Sequence, residues 1–355
     1  MIRTHGGDIY PFDSNVIDFS ININPLGIRN EIRAAAISAI GDMDKYPDLR
    51  QEKLRVAIGN MEGVDKDLII CGNGASEIIF GLVSALKPKK ALLISPSFTE
   101  YEIAVDSVDT VKDFYLLKEE EEFLVKEDIL DKINNDTDMV FICNPNNPTG
   151  KLVERELLLK ILEKCKETGT HLIIDESFMA FSERHKECTM VPFADKYKNL
   201  IILKSFTKMY SFPGLRLGYG ILKDMNVMER LEKVRPPWAV SNIAEQAGIT
   251  ACSIKKHPEN TRSFIKREKN KFYLKLSMLE DKGIRFFESE TNFILFYAPD
   301  VNKENLYDLL LERDMLIRRC SDFRGLNGSW YRLSVNTEAY NKLLMDAIKE
   351  IYMTQ

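Results

Sequence analysis

The chain has 355 residues, with 49 Lys+Arg against 54 Asp+Glu for a formal charge of −5, and 45% of its residues are hydrophobic. That balance excludes a disordered chain and a disulfide mini-protein, and it suffices to bury roughly three-quarters of the unfolded surface. The mild acidity speaks against the clustered basic face of a nucleic-acid binder, though not against a small anionic ligand, which needs only a few local cations.

The N-terminal run 1–13 has no apolar leader core. No stretch reaches the roughly 18 apolar residues of a membrane span. The six cysteines (Cys71, Cys143, Cys165, Cys188, Cys252, Cys320) are widely spaced and form no CxxC pair. They read as reduced, mostly buried thiols of a cytoplasmic protein. Four histidines in no ligand spacing give no metal site. No nucleic acid and no membrane is expected as a partner.

Short apolar runs at 68–71, 91–94, 139–143, 172–174 and 200–203 are nearly free of polar residues, as strands covered on both faces are. Helical stripes lie between them. Ile78, Ile79, Leu82, Val83 and Leu86 form one; Leu157, Leu158, Ile161, Leu162 and Cys165 form another. The alternation predicts an α/β fold: a mostly parallel mixed sheet wrapped by helices, in a large domain over 41–250. Beyond Pro236-Pro237 the pattern changes. A long charged helix is expected over 243–281, then strands at 292–297, 315–318 and 330–335 around a helix near 304–313. These make a smaller α+β domain over 251–355, on which the N-terminal segment 1–40 is expected to pack.

In such sheets ligands bind beyond the carboxyl ends of the strands, and four polar clusters fall there. Cys71-Gly72-Asn73-Gly74-Ala75-Ser76-Glu77 joins a strand to a helix whose free amides suit an anion. Asn144-Pro145-Asn146-Asn147-Pro148-Thr149-Gly150 is a rigid turn that can hold the Asn147 amide toward a ligand. Ile173-Ile174-Asp175-Glu176 puts a carboxylate at a strand end. The same pattern suits the metal-side motif of P-loop ATPases, but the required GxxxxGK[ST] is missing, since Gly150-Lys151 is followed by Leu152. Leu203-Lys204-Ser205-Phe206-Thr207-Lys208 runs toward Gly214-Leu215-Arg216-Leu217-Gly218.

In this order the four clusters resemble the fold-type I pyridoxal-phosphate enzymes, in the histidinol-phosphate aminotransferase-like subgroup. The resemblance implies pyridoxal 5'-phosphate as cofactor and Lys208 as its Schiff-base lysine. It implies Asp175 facing the ring nitrogen, Asn147 donating to the phenolic oxygen and Phe98 stacking on the ring. Gly74, Ala75, Ser76, Ser205 and Arg216 would hold the cofactor phosphate. Tyr46 would reach that phosphate from the other subunit of a homodimer, and Arg332 would clamp the substrate carboxylate.

One departure is Phe178, where the aminotransferases carry a tyrosine that bonds the phenolic oxygen. Its loss changes the cofactor's electronics and counts against straightforward transamination. The segments His5-Gly6-Gly7, Asp18-Phe19-Ser20-Ile21-Asn22-Ile23-Asn24-Pro25-Leu26-Gly27 and Pro237-Trp238-Ala239-Val240-Ser241-Asn242 resemble the L-threonine-O-3-phosphate decarboxylases, which serve cobalamin biosynthesis. That likeness implies decarboxylation of a small phosphorylated amino acid. The alternative is a histidinol-phosphate-type aminotransferase, which also takes a phosphorylated amine. Asn24 and His5 are expected at the substrate. Among Arg318, Arg319, Arg324 and His5, Arg318 best matches a phosphate-binding arginine.

Overall fold

In the computed structural model, which describes residues 5–12 and 16–353, the five apolar runs all lie in one sheet. Thr4, beside the His-Gly-Gly motif, lies outside the described residues. The strands in chain order are β1 (Ile17–Asp18), β2 (Ile69–Gly72), β3 (Lys90–Ser95), β4 (Val111–Leu116), β5 (Met139–Cys143), β6 (His171–Asp175), β7 (Leu200–Ser205), β8 (Gly218–Leu222), β9 (Arg285–Phe286), β10 (Phe293–Tyr297), β11 (Met315–Leu316), β12 (Arg318–Arg319) and β13 (Trp330–Ser334). The helices are α1 (Asn30–Ala39), α2 (Glu52–Glu62), α3 (Ala75–Leu86), α4 (Glu100–Asp106), α5 (Arg155–Thr168), α6 (His185–Cys188), α7 (Phe206–Met209), α8 (Met225–Val234), α9 (Asn242–Ser253), α10 (Lys256–Ser277), α11 (Leu306–Leu311) and α12 (Glu338–Met353).

The large sheet has the order β2-β8-β7-β6-β5-β3-β4. Only β8 runs antiparallel to its neighbours. Side chains alternate between its faces, as strand geometry demands. Leu93, Phe141, Ile173 and Ile201 join a core with α3, α4 and α8. Leu92, Val140, Ile142, Leu172 and Ile202 join a larger core with α2, α5 and α9. Both faces are covered, which is why the runs are apolar throughout.

A second, antiparallel sheet has the order β12-β13-β10-β9. The expected 315–318 strand is divided: Met315 and Leu316 pair in parallel with Ile17 and Asp18, while Arg318 and Arg319 pair with Arg332 and Tyr331. The chain start is therefore held by β11, whereas α1 packs on α9. The long helix expected over 243–281 is two helices, α9 and α10, broken at Ile254 and Lys255. Pro258 explains the break. Lacking an N–H, it is tolerated in the first turn of a new helix and not in the middle of a long one.

Candidate active site

The carboxyl ends of β2, β3, β5, β6 and β7, and the start of antiparallel β8, meet at one edge of the large sheet. There they bound a cavity of about 480 Å³ that also takes residues of the chain start, β12 and β13. Gly74, Ala75, Ser76, Phe98, Asn147, Asp175, Ser205, Lys208, Arg216, Arg318, Arg332 and His5 all line it.

At one end, α3 starts at Ala75 with no side-chain cap, so its first-turn amides have no partner within the helix. Gly74 has φ +83, and a Cβ placed there would lie 2.6 Å from Arg216 Nη2. A Cβ on Gly218 would lie 2.3 Å from the Ala75 nitrogen. Glycine at both positions lets a guanidinium and a helix start converge, which is a cradle for a phosphate. Ser205 caps α7, with its Oγ accepting from the Thr207 amide at 3.2 Å. The same turn carries Lys208.

The Lys208 amine is held down to about 8 by burial first, then by the charges of Arg332 and Arg216, against the opposing pull of Asp175. Asp175 is 4% exposed and accepts from the Tyr101 hydroxyl at 2.7 Å and from the Ser177 amide at 2.9 Å. Phe178 lines the wall between them, edge-on to Phe293 at 5.1 Å and 6.0 Å from Lys208 Nζ.

Arg332 is 5% exposed, and burial lowers its guanidinium to about 10, where it is still a cation near neutrality. Its Nη1 donates to Asn147 Oδ1 and its Nη2 to the Ser20 carbonyl at 2.7 Å. Its Nε has no partner, nor does Oδ1 of the cavity-lining Asn22. Buried polar atoms left this way suit a site built for a ligand. Arg318 faces Arg332 directly across the β12–β13 pair and is buried, tied to Asp322 Oδ2 at 2.5 Å and to the Arg319 carbonyl at 2.6 Å. His5 Nε2 lies 3.1 Å from Glu100 Oε1 at the mouth.

Three expectations need correction. Asn24 is not on the cavity wall: its amide donates to the Met209 carbonyl at 2.8 Å and to Thr261 Oγ1 at 2.7 Å, and it is 1% exposed. It ties the chain start to α7 and α10, and Asn22, two residues earlier, meets the cavity instead. Arg319 bonds the Gly328 carbonyl and Arg324 pairs with Glu102 at 2.7 Å; neither lines the cavity. Tyr46, expected at the other subunit's phosphate, is 79% exposed, packs against Trp238 at 4.6 Å with the rings tilted by 31°, and does not line this chain's own cavity.

Sequence reasoning missed Ser20, Tyr101, Thr207 and Phe323. Ser20 and Thr207 stood inside the sequence motifs without being singled out, whereas Tyr101 and Phe323 lay outside them. The cysteines are free, and all but Cys252 are buried. No cluster of possible metal ligands occurs among the described residues. The cradle, the lowered amine and the strand-end carboxylate fit a phosphorylated aldehyde cofactor.

The chain matches the family described as aminotransferase class I and II over residues 14–348. It is 32% identical to the threonine-phosphate decarboxylase of Salmonella typhimurium strain LT2, over 98% of this chain and 96% of that one. Among solved structures, it resembles the histidinol-phosphate aminotransferase from Clostridium acetobutylicum with a TM-score of 0.88 and 32% identity, covering 95% of this chain and 99% of that one. It also resembles the L-threonine-O-3-phosphate decarboxylase from Porphyromonas gingivalis with a TM-score of 0.79 and 27% identity, covering 93% and 98%.

Proposed function

Because the chain belongs to the aminotransferase class I and II family, we propose that it is a decarboxylase of L-threonine O-3-phosphate, yielding (R)-1-aminopropan-2-yl phosphate. Its cofactor is pyridoxal 5'-phosphate. The observation that carries the reading is the Arg318–Arg332 pair. Like charges directly opposite on neighbouring strands are unfavourable, and while Asp322 offsets Arg318, no carboxylate among the described residues contacts Arg332. Two cations on one sheet face, both at the cavity, suit a substrate with two anionic groups close together, a carboxylate and a phosphate.

When bound, the cofactor supplies an electron sink for the pair released at the substrate Cα. The remaining work falls to side chains. Gly74, Ala75, Ser76, Ser205 and Arg216 hold the cofactor phosphate. Asn147 gives its Oδ1 to Arg332, which leaves its amide NH₂ to donate to the phenolic oxygen. Asp175 retains the ring nitrogen's proton. Arg332 holds the substrate carboxylate, and Arg318 with His5 holds the phosphate. Together they would fix the substrate's orientation at Cα. Lys208 would attach the cofactor in the resting protein, and its amine would hold the proton to be returned to Cα.

We assign the protein to the cytoplasm as a homodimer in which Tyr46 completes the partner's phosphate site. No helix among the described residues is long and apolar enough to cross a membrane. The second reading, a histidinol-phosphate-type aminotransferase, is favoured by the likeness to the Clostridium acetobutylicum structure. An assay with each substrate separates the two. Carbon dioxide from L-threonine phosphate supports the first; glutamate made from histidinol phosphate and 2-oxoglutarate without carbon dioxide overturns it.

A further inference from the structure

Tyr101 sits on α4, is 2% exposed, and is not on the cavity wall. Its ring stacks on Phe141 at 5.1 Å and 13°, and lies edge-on to Phe98 at 5.5 Å and 83°. Held between two aromatics, its hydroxyl donates to Asp175 Oδ2 at 2.7 Å. Asp175 Oδ1 accepts from the Ser177 amide at 2.9 Å. Burial and the Asp175 charge keep the phenol protonated far above its ordinary range, so it is a permanent donor.

We propose that Tyr101 is a positioning residue for Asp175, fixing the carboxylate's direction and drawing off part of its charge so that the cofactor's ring nitrogen keeps its proton. The inference rests on the cofactor assignment above. A carboxylate relieved of charge by a donor is a weaker base than a bare one. In the hydrogen bond between ring nitrogen and Asp175, a weaker base leaves the proton on nitrogen. A stronger one moves it to oxygen, and the ring loses its cationic pull. Only this proton changes place; no bond to carbon is made or broken. Tyr101 touches neither substrate nor reacting atoms, so its effect falls on turnover and not on substrate binding.

The test is Tyr101→Phe, which keeps the ring and removes the donor, loaded with pyridoxal phosphate carrying ¹⁵N in the ring. The parent's nitrogen signal is expected to stay in the protonated range across the working pH, and the variant's to be shifted toward the unprotonated range at the same pH values. kcat is expected to fall by roughly tenfold, with KM and the melting temperature little changed. In an Asp175→Asn background the same substitution adds nothing, because the effect passes through that carboxylate. Tyr101→His, with a flat ring and a donor, keeps the protonated signal. If Tyr101→Phe leaves both signal and kcat at parent values, or Tyr101→His loses the signal, the inference is overturned. Failure of the unmodified protein to take up the cofactor sinks the cofactor assignment itself. A yellow parent with an indifferent Tyr101→Phe sinks this inference alone.

Discussion

Between about pH 8 and its ordinary value of 10.5, the Lys208 amine is neutral in the folded chain and still protonated in the unfolded one. The unfolded state therefore binds more protons there, and stability rises with pH across that window. Below pH 8 both states are protonated, and the folded chain bears the full cost of the buried cation. Lys208→Met in the cofactor-free protein should thus stabilise it at neutral pH by up to about 3 kcal/mol. The gain should shrink to nothing as pH climbs past 10.5, which denaturant melts at several pH values will show. The same lowered amine predicts that cofactor capture by the wild-type protein speeds up with pH and is half-maximal near 8, while Lys208→Met never turns yellow. Arg332→Ala should raise the substrate KM by roughly tenfold to a hundredfold with cofactor uptake intact, because a buried carboxylate loses a charged partner. An unchanged KM would remove Arg332 from the substrate site. At this scale, residues with a distinctive neighbour in the chain were legible: Lys208 after Ser205, Asp175 at the end of an apolar run. Asn24 was misplaced because Asn22 and Asn24 stand two apart in extended chain, and only the third dimension says which meets the cavity.

The start of α3 and the first residue of β8 approach so closely that only glycine fits at position 218. Gly218→Ala would bring its Cβ against the Ala75 backbone nitrogen, and a helix start, unlike a flexible side chain, cannot swing aside. The expected outcome is a loss of about 1–3 kcal/mol in stability and weaker cofactor binding, read from thermal melts and fluorescence titration. Equal affinity in the variant would show that the cradle tolerates a shift. The buried strands were legible because a two-sided environment admits only apolar residues, as in β5 and β7. β4 and β8 were not singled out. β4, at the sheet edge, carries Val111, Lys112 and Asp113 with partial exposure. β8 reads Gly-Tyr-Gly-Ile-Leu, where close approach to α3 outweighs strand propensity.

Across the whole molecule, one surface stands out. Ile37, Met43, Tyr46 and Leu49 are 61%, 77%, 79% and 58% exposed, on α1 and the segment after it. Apolar side chains so displayed suit burial against a second copy. Sedimentation should give twice the chain mass, and dilution below the dimer affinity should abolish activity. Tyr46→Phe should weaken cofactor binding severalfold while leaving the dimer intact, since it removes one hydroxyl at the neighbouring phosphate. A fully active monomer would end that assignment. The second sheet could be read from the change of pattern after Pro236-Pro237. The attachment of the chain start to β11 could not, because two-residue strands leave no periodicity to detect.

That attachment has a consequence for biosynthesis. The carbonyl of Ser20 meets the Arg332 guanidinium 312 positions later, and among the described residues β1 pairs with β11 alone. On a ribosome, the first strand must wait, without that partner, until residues 315–316 have been made. The large sheet, whose last strand ends at Leu222, can assemble earlier, but the substrate half of the cavity closes only once β12 and β13 have been made. An N-terminal tag or a bound chaperone that delays this last stitch would leave a polypeptide able to hold vitamin B6 and unable to orient an amino acid.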